Sequence, residues 1–594
     1  MPRFRAASFR LVLRKEHAGM PLKMLSFIVL FLLGRAASLI IYQMCWSNGV
    51  SGKFARPGAL FTLLRRPLPW VLHLAVAWPL IGLSWRDWPL LHGFAMIGVG
   101  LLALGAVGRF GCAELGGFFI ADRLLAVLLA IGVGLSPAFL YPCLVACCCL
   151  QYTVASWRLG PGYSNLLGFE FIRASLCVVT ACLAAFGWLK HLGVAWHDFE
   201  NLVLAVLLGY QASTYVNHAL AKSALGPKWH SWIRENRAEC LVGNAWLRGW
   251  TAGRTSGTVE KQMNWIGQRR VRICAVVWML EVAWLFILAD SRFAMVLVTA
   301  TILLHLAVFA LTGLAAYQYV VNHLYLLFMT AVCDSSGVFR HEYLAAGCLV
   351  MPVAAIWVGC LRRRIFGNFQ QSGTTGHVGK LADAADHLMA WWDTPFMRMY
   401  SYTIETRSGA RFALPVTKLS PHDTTLTDLH THLMILGMHG DLDPAIAADR
   451  AKARTGVWGL TVHREDRDFL YQLIDENPGD VREALRADSK CAPWDIGVDG
   501  LAPAAALPLR DLFQGINWTL HLSWFRRILR WSHFPGEDLV PDVCPLVEPR
   551  LETFRFDETI ATVTLWRIKT FCNGREMMLV ENQAVGRIHL EEPA

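Results

Sequence analysis

The sequence predicts an α-helical polytopic membrane bundle followed by a mixed α/β soluble domain built around β-hairpins. Three observations predict it. Hydrophobic residues make up 55% of the 594 and charged residues only 17%, a balance richer in apolar side chains than a soluble core requires. Apolar runs succeed one another from residue 24 to residue 361. After Arg364 the composition turns to mixed polar sequence, in which strand-like stretches flank turn residues. The expected divisions are a basic amphipathic segment over 1–23, a multi-span membrane domain over 24–364, a linker region over 365–398 and a soluble domain over 399–594.

Arg3, Arg5, Arg10, Arg14 and Lys15 alternate with Phe4, Phe9, Leu11 and Leu13, the pattern of a basic amphipathic segment on a membrane surface. A frayed basic tail has the same composition. Apolar runs follow at 24–44, 69–83, 90–107, 118–133, 137–154, 166–188, 202–221, 271–289, 293–314, 317–332 and 343–361. Several are shorter than the ~20 residues a span needs, so about eight to eleven crossings are expected. The first run carries Arg35 and lacks a small-residue cleavage site, so it reads as a retained span. Between 228 and 250 Trp229, Trp232, Trp246 and Trp250 interleave with Arg234, Arg237 and Arg248, as in a helix lying at an interface. Arg362, Arg363 and Arg364 place the end of the bundle, and with it the soluble domain, on the cytoplasmic side. Lys53, Arg56, Arg65 and Arg66 pull simple alternation the other way.

In the soluble part, 400–405 and 411–414 flank Ser408-Gly409 as one hairpin. A second pairs 560–571 with 577–580 across Asn573-Gly574, which supplies the positive φ of a tight turn. Leu426, Leu429, Leu433 and Leu436 predict a helix over 424–438 capped by Asp423 or Thr424.

Composition excludes several classes. The net charge of +10 reads as loop Lys and Arg facing anionic lipid, and no basic stripe with stacking aromatics indicates a nucleic-acid partner. Of the 16 Cys most lie in apolar runs and none forms Cys-x-x-Cys, which removes zinc-ribbon and thioredoxin-like readings. Cys491, Cys544 and Cys572 could pair if the soluble part is exported. His422, Asp423, Asp428, His430, His432, His439 and Asp441 could seed a metal site, yet they match no strict ligand motif and read as a polar helix face. No metal is expected.

Chemistry is sought first among polar groups inside apolar runs, where burial selects against them unless they are paired or used. Glu170 and Arg173 are spaced to pair on one helix; Asp122 and Arg123 need other partners; Glu281 and His305 sit well inside their runs. Tyr215, His218 and Lys222 are spaced i, i+3, i+7 and share one helix face. Lys222 is either a snorkelling cation near a helix end or a desolvated base.

The stretch from Tyr215 to Lys222, followed by Trp229, resembles the helix end of the horizontally transferred transmembrane (HTTM) family that includes vitamin K-dependent gamma-carboxylases. Leu304-His305-Leu306 through Gly313 to Leu327 is similar to that family's His-bearing helix. The resemblance implies a quinone- or lipid-dependent membrane enzyme with a reduced, vitamin K-like quinone as cofactor. Lys222 would be its base, with His305, Tyr215 and His218 completing the catalytic set. It also implies a quinone or a protein or peptide substrate, membrane lipids as partners, and residence as a multi-pass protein of a bacterial inner membrane. The family's Asn-rich, His-containing segment has no counterpart at 156–165. A different class, a transporter or lipid-handling scaffold, would line a polar path with Glu170, Arg173 and Glu281.

Overall fold

The computed structural model describes residues 67–107, 116–155, 166–193, 199–224, 228–247, 249, 251, 253–313, 317–333, 346–352, 396–414 and 551–591 apart from 553, 556 and 573, with 513, 514, 516, 517, 520 and 546. The helices are α1 (Pro67–Leu80), α2 (Pro89–Val107), α3 (Gly116–Leu135), α4 (Leu140–Ala155), α5 (Leu166–His191) and α6 (Phe199–Ala224). They continue with α7 (Ser231–Glu235), α8 (Ala238–Leu247), α9 (Ser256–Ala283), α10 (Ser291–Thr312) and α11 (Tyr317–Val332). Strands β1 (Phe396–Thr406), β2 (Arg411–Leu414), β3 (Ile560–Cys572) and β4 (Met577–His589) form an antiparallel sheet of order β2-β1-β3-β4.

The expected polytopic membrane bundle is corrected by these helices. Among the described residues Ser291–Thr312 is the one helix long and apolar enough to cross a membrane by length and composition. Two physical reasons separate the apolar runs from spans. Some helices are short: α1 has 14 residues and α4 and α11 have 16, against the ~20 a crossing needs. Others are interrupted by polar side chains turned inward, as in α6, where Gln211, Ser213, Asn217, His218 and Lys222 are all buried. Much of the apolar sequence is used between helices, in a core joining Leu80, Leu91, Leu140, Leu176, Leu204, Trp284, Val298 and Leu326. The multi-pass assignment falls with the bundle.

Local sequence explains where the site-bearing helices start and stop. Asp290 caps α10, its carboxylate accepting from the N–H groups of Arg292 at 2.8 Å and Phe293 at 3.1 Å, and Gly313 ends the helix at φ +73°. Thr255 caps α9 by accepting from Thr258 N–H. The α2 N-terminus is capped from a distance, because Glu200 of α6 accepts from Leu90 and Leu91 N–H at 3.0 and 3.2 Å. Gly209 of α6 lies against the helical stretch 346–352; a Cβ there would sit 2.3 Å from the Gly347 carbonyl oxygen, so the two backbones meet where only glycine fits.

The sheet is longer than its sequence signals. β1 starts at Phe396, inside the stretch read as linker, and β4 continues to His589, well past residue 580. Both turns place a glycine at positive φ, Gly409 at +79° and Gly574 at +87°. Tyr402, Ile404, Leu414, Phe513, Ile516, Phe554, Ile560 and Val563 pack on one another at one end. There Asn517 grips Ile560 through both backbone groups, at 2.7 and 2.9 Å. At the other end Ile568 and Cys572 join Cys240, Val242, Trp246 and Leu247 of α8 and Val259, Met263 and Ile266 of α9 in a shared core.

Several expectations lie outside the described residues: the segments 1–23 and 24–44, Lys53 to Arg66, the arginines 362–364, the helix over 424–438 with its histidines, Cys491, Cys544 and Asn573. The side chains of Asp122, Arg123, Glu170 and Arg173 lie outside them too.

Candidate functional site

Tyr215, His218 and Lys222 project from α6 toward α9, α10 and α11, and all three are buried. Lys222 is seven positions beyond Tyr215, about 10 Å along the helix axis, so one face of α6 supplies two neighbouring clusters.

The first cluster is an ion pair. Lys222 Nζ donates to Glu281 Oε1 of α9, with side-chain exposures of 5% and 7%. The Trp232 ring of α7 covers the ammonium at 4.9 Å, adding a cation–π contact in a dry setting. Trp278, one turn before Glu281, donates to Ser223 Oγ at 2.9 Å and ties α9 to the end of α6. Glu281 Oε2 is buried and has no hydrogen-bond partner among the described residues. Burial pushes the Glu281 carboxyl above its ordinary range, and Lys222 opposes that shift. Among the described residues, one oxygen of the carboxylate is therefore held and the other is left without a partner.

The second cluster is a neutral hydrogen-bonded chain. Tyr215 Oη lies 2.9 Å from His305 Nε2 of α10 and 3.0 Å from His323 Nε2 of α11. His323 Nδ1 lies 2.6 Å from the Tyr319 carbonyl, an acceptor only, so Nδ1 carries the hydrogen. Burial holds His323 near 3, with His305 adding to the effect, so the ring is neutral and its Nε2 accepts from the Tyr215 hydroxyl. That uses the single phenolic hydrogen, and His305 Nε2–H must then donate to Tyr215. The hydrogens run one way: His305 to Tyr215 to His323 to Tyr319. Burial, reinforced by Tyr319 and Glu281, pushes the Tyr215 phenol well above its ordinary range and keeps it protonated.

Trp284 connects the clusters. It sits one turn beyond Glu281, stacks on Tyr215 at 4.7 Å and 15°, and donates to Thr301 Oγ1 of α10 at 3.1 Å. His218 meets the Tyr215 ring edge-on at 5.8 Å.

Of the residues singled out from sequence, Tyr215 and His305 are in direct contact, His218 flanks them, and Lys222 is engaged elsewhere, with Glu281. His323 and the Lys222–Glu281 pairing were missed. The pairing had a signal: opposite charges, each inside an apolar run, seek each other. His323 carried the same signal as His305, a histidine inside an apolar run, but nothing local relates it to Tyr215, 108 positions away on α6, while its other partner, the Tyr319 carbonyl, is on its own helix. Among the described residues no group of three or more His, Cys, Asp or Glu is placed to hold a metal ion. Set against family models, curated proteins and solved structures, the chain matches none.

Proposed function

We propose that the chain is an enzyme that accepts a proton from a hydroxyl-bearing, hydrophobic substrate at Glu281, in the manner of a quinone-dependent member of the HTTM family. The observation that carries the reading is the second Glu281 oxygen, buried beside the Lys222 ammonium and without a hydrogen-bond partner among the described residues. The residues fit a reduced quinone on that ground: an acceptor oxygen without a partner among the described residues suits an aromatic hydroxyl, and the Trp232 ring lies over the Lys222 end of the pair. A reduced quinone, when bound, supplies an aromatic hydroxyl whose deprotonation makes the ring reactive toward oxygen.

The division of labour differs from the resemblance. An ammonium bonded to a carboxylate is a donor, so Lys222 orients Glu281 and balances its charge, and Glu281 takes the proton. Tyr215 with His305 and His323 provides a neutral wall of fixed polarity beside it. α10, apolar along an outward face of Phe293, Val296, Leu303, Leu306 and Phe309, supports approach of the substrate from lipid.

The roles of Lys222 and Glu281 are separable by two variants assayed for turnover of a reduced naphthoquinone. Glu281→Gln is expected to lower kcat by about 10²–10⁴-fold, the usual worth of a general base. Lys222→Arg is expected to keep a substantial fraction, since arginine still donates to the carboxylate. A dead Lys222→Arg beside an active Glu281→Gln would make lysine the base and overturn the assignment. Removing one partner of a buried pair costs about 3–5 kcal/mol, so each variant is checked for folding. The double variant Lys222→Met/Glu281→Leu, which leaves no buried charge, is expected to fold and to be inactive.

A further inference from the structure

The junction between the sheet and the helices holds two thiols that the proposed reaction does not use. Cys240 on α8 and Cys572 at the end of β3 are both fully buried, and the Cys240 Sγ–H donates to the Cys572 carbonyl at 3.5 Å across 332 residues of chain. The Cys572 side chain beside it, together with burial, pushes the Cys240 thiol well above its ordinary range. Around them the packing is tight: a Cβ on Gly243, one turn beyond Cys240, would come within 2.5 Å of Cys572 Sγ and 2.9 Å of Met263 Sδ. The absence of a side chain at Gly243 is what lets the Cys572 sulfur reach α8. Next to the thiols, Glu239 is clasped by Arg237 at 3.1 Å and approached by Arg270 at 3.9 Å, while Gly574 of the β3–β4 turn packs on its stem. The end of the hairpin is thus held against α8 in one register, with one sulfur from each side.

We propose that Cys240 and Cys572 form a thiol–disulfide site, closed by exchange with a disulfide oxidant, that locks the β3–β4 hairpin onto α8. The step balances as two thiols and one oxidant disulfide giving the Cys240–Cys572 bond and two thiols of the reduced oxidant. One cysteine loses its proton and attacks the oxidant's sulfur, a mixed disulfide forms, and the second thiolate displaces the remaining half. Because both thiols are buried, exchange proceeds when the hairpin end lifts from α8 or before it docks. Oxidation is therefore slow on the folded protein and quick during refolding.

The test uses the full chain refolded, and separately incubated folded, with oxidised glutathione. Remaining thiols are blocked with N-ethylmaleimide and the digest is read by mass spectrometry. The expected result is a peptide pair joining the 240 and 572 segments that disappears with dithiothreitol, and a total thiol count two below the 16 of the sequence. Amide exchange over 572–577 should slow at least tenfold in the oxidised form. Cys240→Ala should remove the cross-link and the slowing together while Cys572 is recovered as its maleimide adduct. Recovery of both cysteines as adducts in the wild-type chain, or pairing of either with another cysteine, would overturn the proposal. Should Cys240→Ala not fold, Cys572→Ala serves as the matching variant and the wild-type cross-link still decides.

Discussion

At the scale of single residues, the site is governed by how each buried polar atom is satisfied. His323 is fully buried and neutral, held near 3 by burial, whereas an unfolded histidine titrates at about 6.5. Its folded value is depressed, so its contribution to stability is complete above the unfolded value and is lost as pH falls from about 6.5 toward 3. Thermal unfolding followed from pH 7 to pH 4 is expected to show a falling midpoint, with a shallower fall in His323→Gln. An unchanged slope in that variant would remove His323 from the acid response. Trp284 is the complementary case: it is fully buried and stacked on Tyr215, and Trp284→Ala is expected to cost about 3–5 kcal/mol by opening a cavity beside Tyr215. Denaturant unfolding measures it. At this scale the sequence was informative about which residues are unusual, since Tyr215, His218, Lys222, Glu281 and His305 all stand out as polar groups in apolar runs. It was silent on who meets whom, because partners such as Lys222 and Glu281 are 59 positions apart and no local pattern relates them.

Secondary elements were legible where their signals are local. The β1–β2 and β3–β4 hairpins follow from Gly409 and Gly574 with strand formers on either side, and α10 follows from Asp290, an apolar stretch and Gly313. Asp290→Ala should lower stability by about 1 kcal/mol through the two N–H groups it leaves uncapped, read as a shift in the denaturant midpoint. The misreading arose where a length rule met tertiary packing. By hydropathy the apolar runs read as spans, yet α1, α4 and α11 are short and their apolar faces contribute to a core shared by many helices. Helix crossings of that kind depend on small residues that no periodicity rule highlights. Gly209→Val would drive a side chain into the Gly347 carbonyl and is expected to destabilise by about 1–3 kcal/mol, with α6 and the site it carries displaced. Circular dichroism melting together with loss of turnover would show both effects; an unperturbed melt would mean that the crossing can part without cost.

At the scale of the whole molecule, the expected division at residue 399 separates a membrane part from an independent soluble domain, and the packing argues for a different unit. Ile568 and Cys572 are buried in the same cluster as Trp246, Leu247, Val259 and Met263, and Cys240 Sγ–H donates to a strand carbonyl. One end of the sheet is therefore completed by α8 and α9, while the other end has its own core around Phe513 and Phe554. A sheet with an independent core at one end and a borrowed one at the other should unfold cooperatively with the helices it borrows from. The expectation is that Ile568→Ala, which removes a buried side chain worth about 2–5 kcal/mol, lowers amide protection in α8 as well as in β3. Phe554→Ala, at the far end, should lower protection in β1, β2 and β3 with less effect on α8. Hydrogen exchange with mass spectrometry resolves the four elements. If Ile568→Ala left α8 untouched, the two parts would be separate folding units that merely touch. The same geometry bears on topology: Cys572 is fully buried, so thiol labelling of intact cells reports sidedness only from an introduced, exposed cysteine, for which Glu591 at the exposed end of β4 is suited. Labelling at that position from outside would set the sheet, and with it the α8 face it covers, on the non-cytoplasmic side, opposite to the side that Arg362, Arg363 and Arg364 favour.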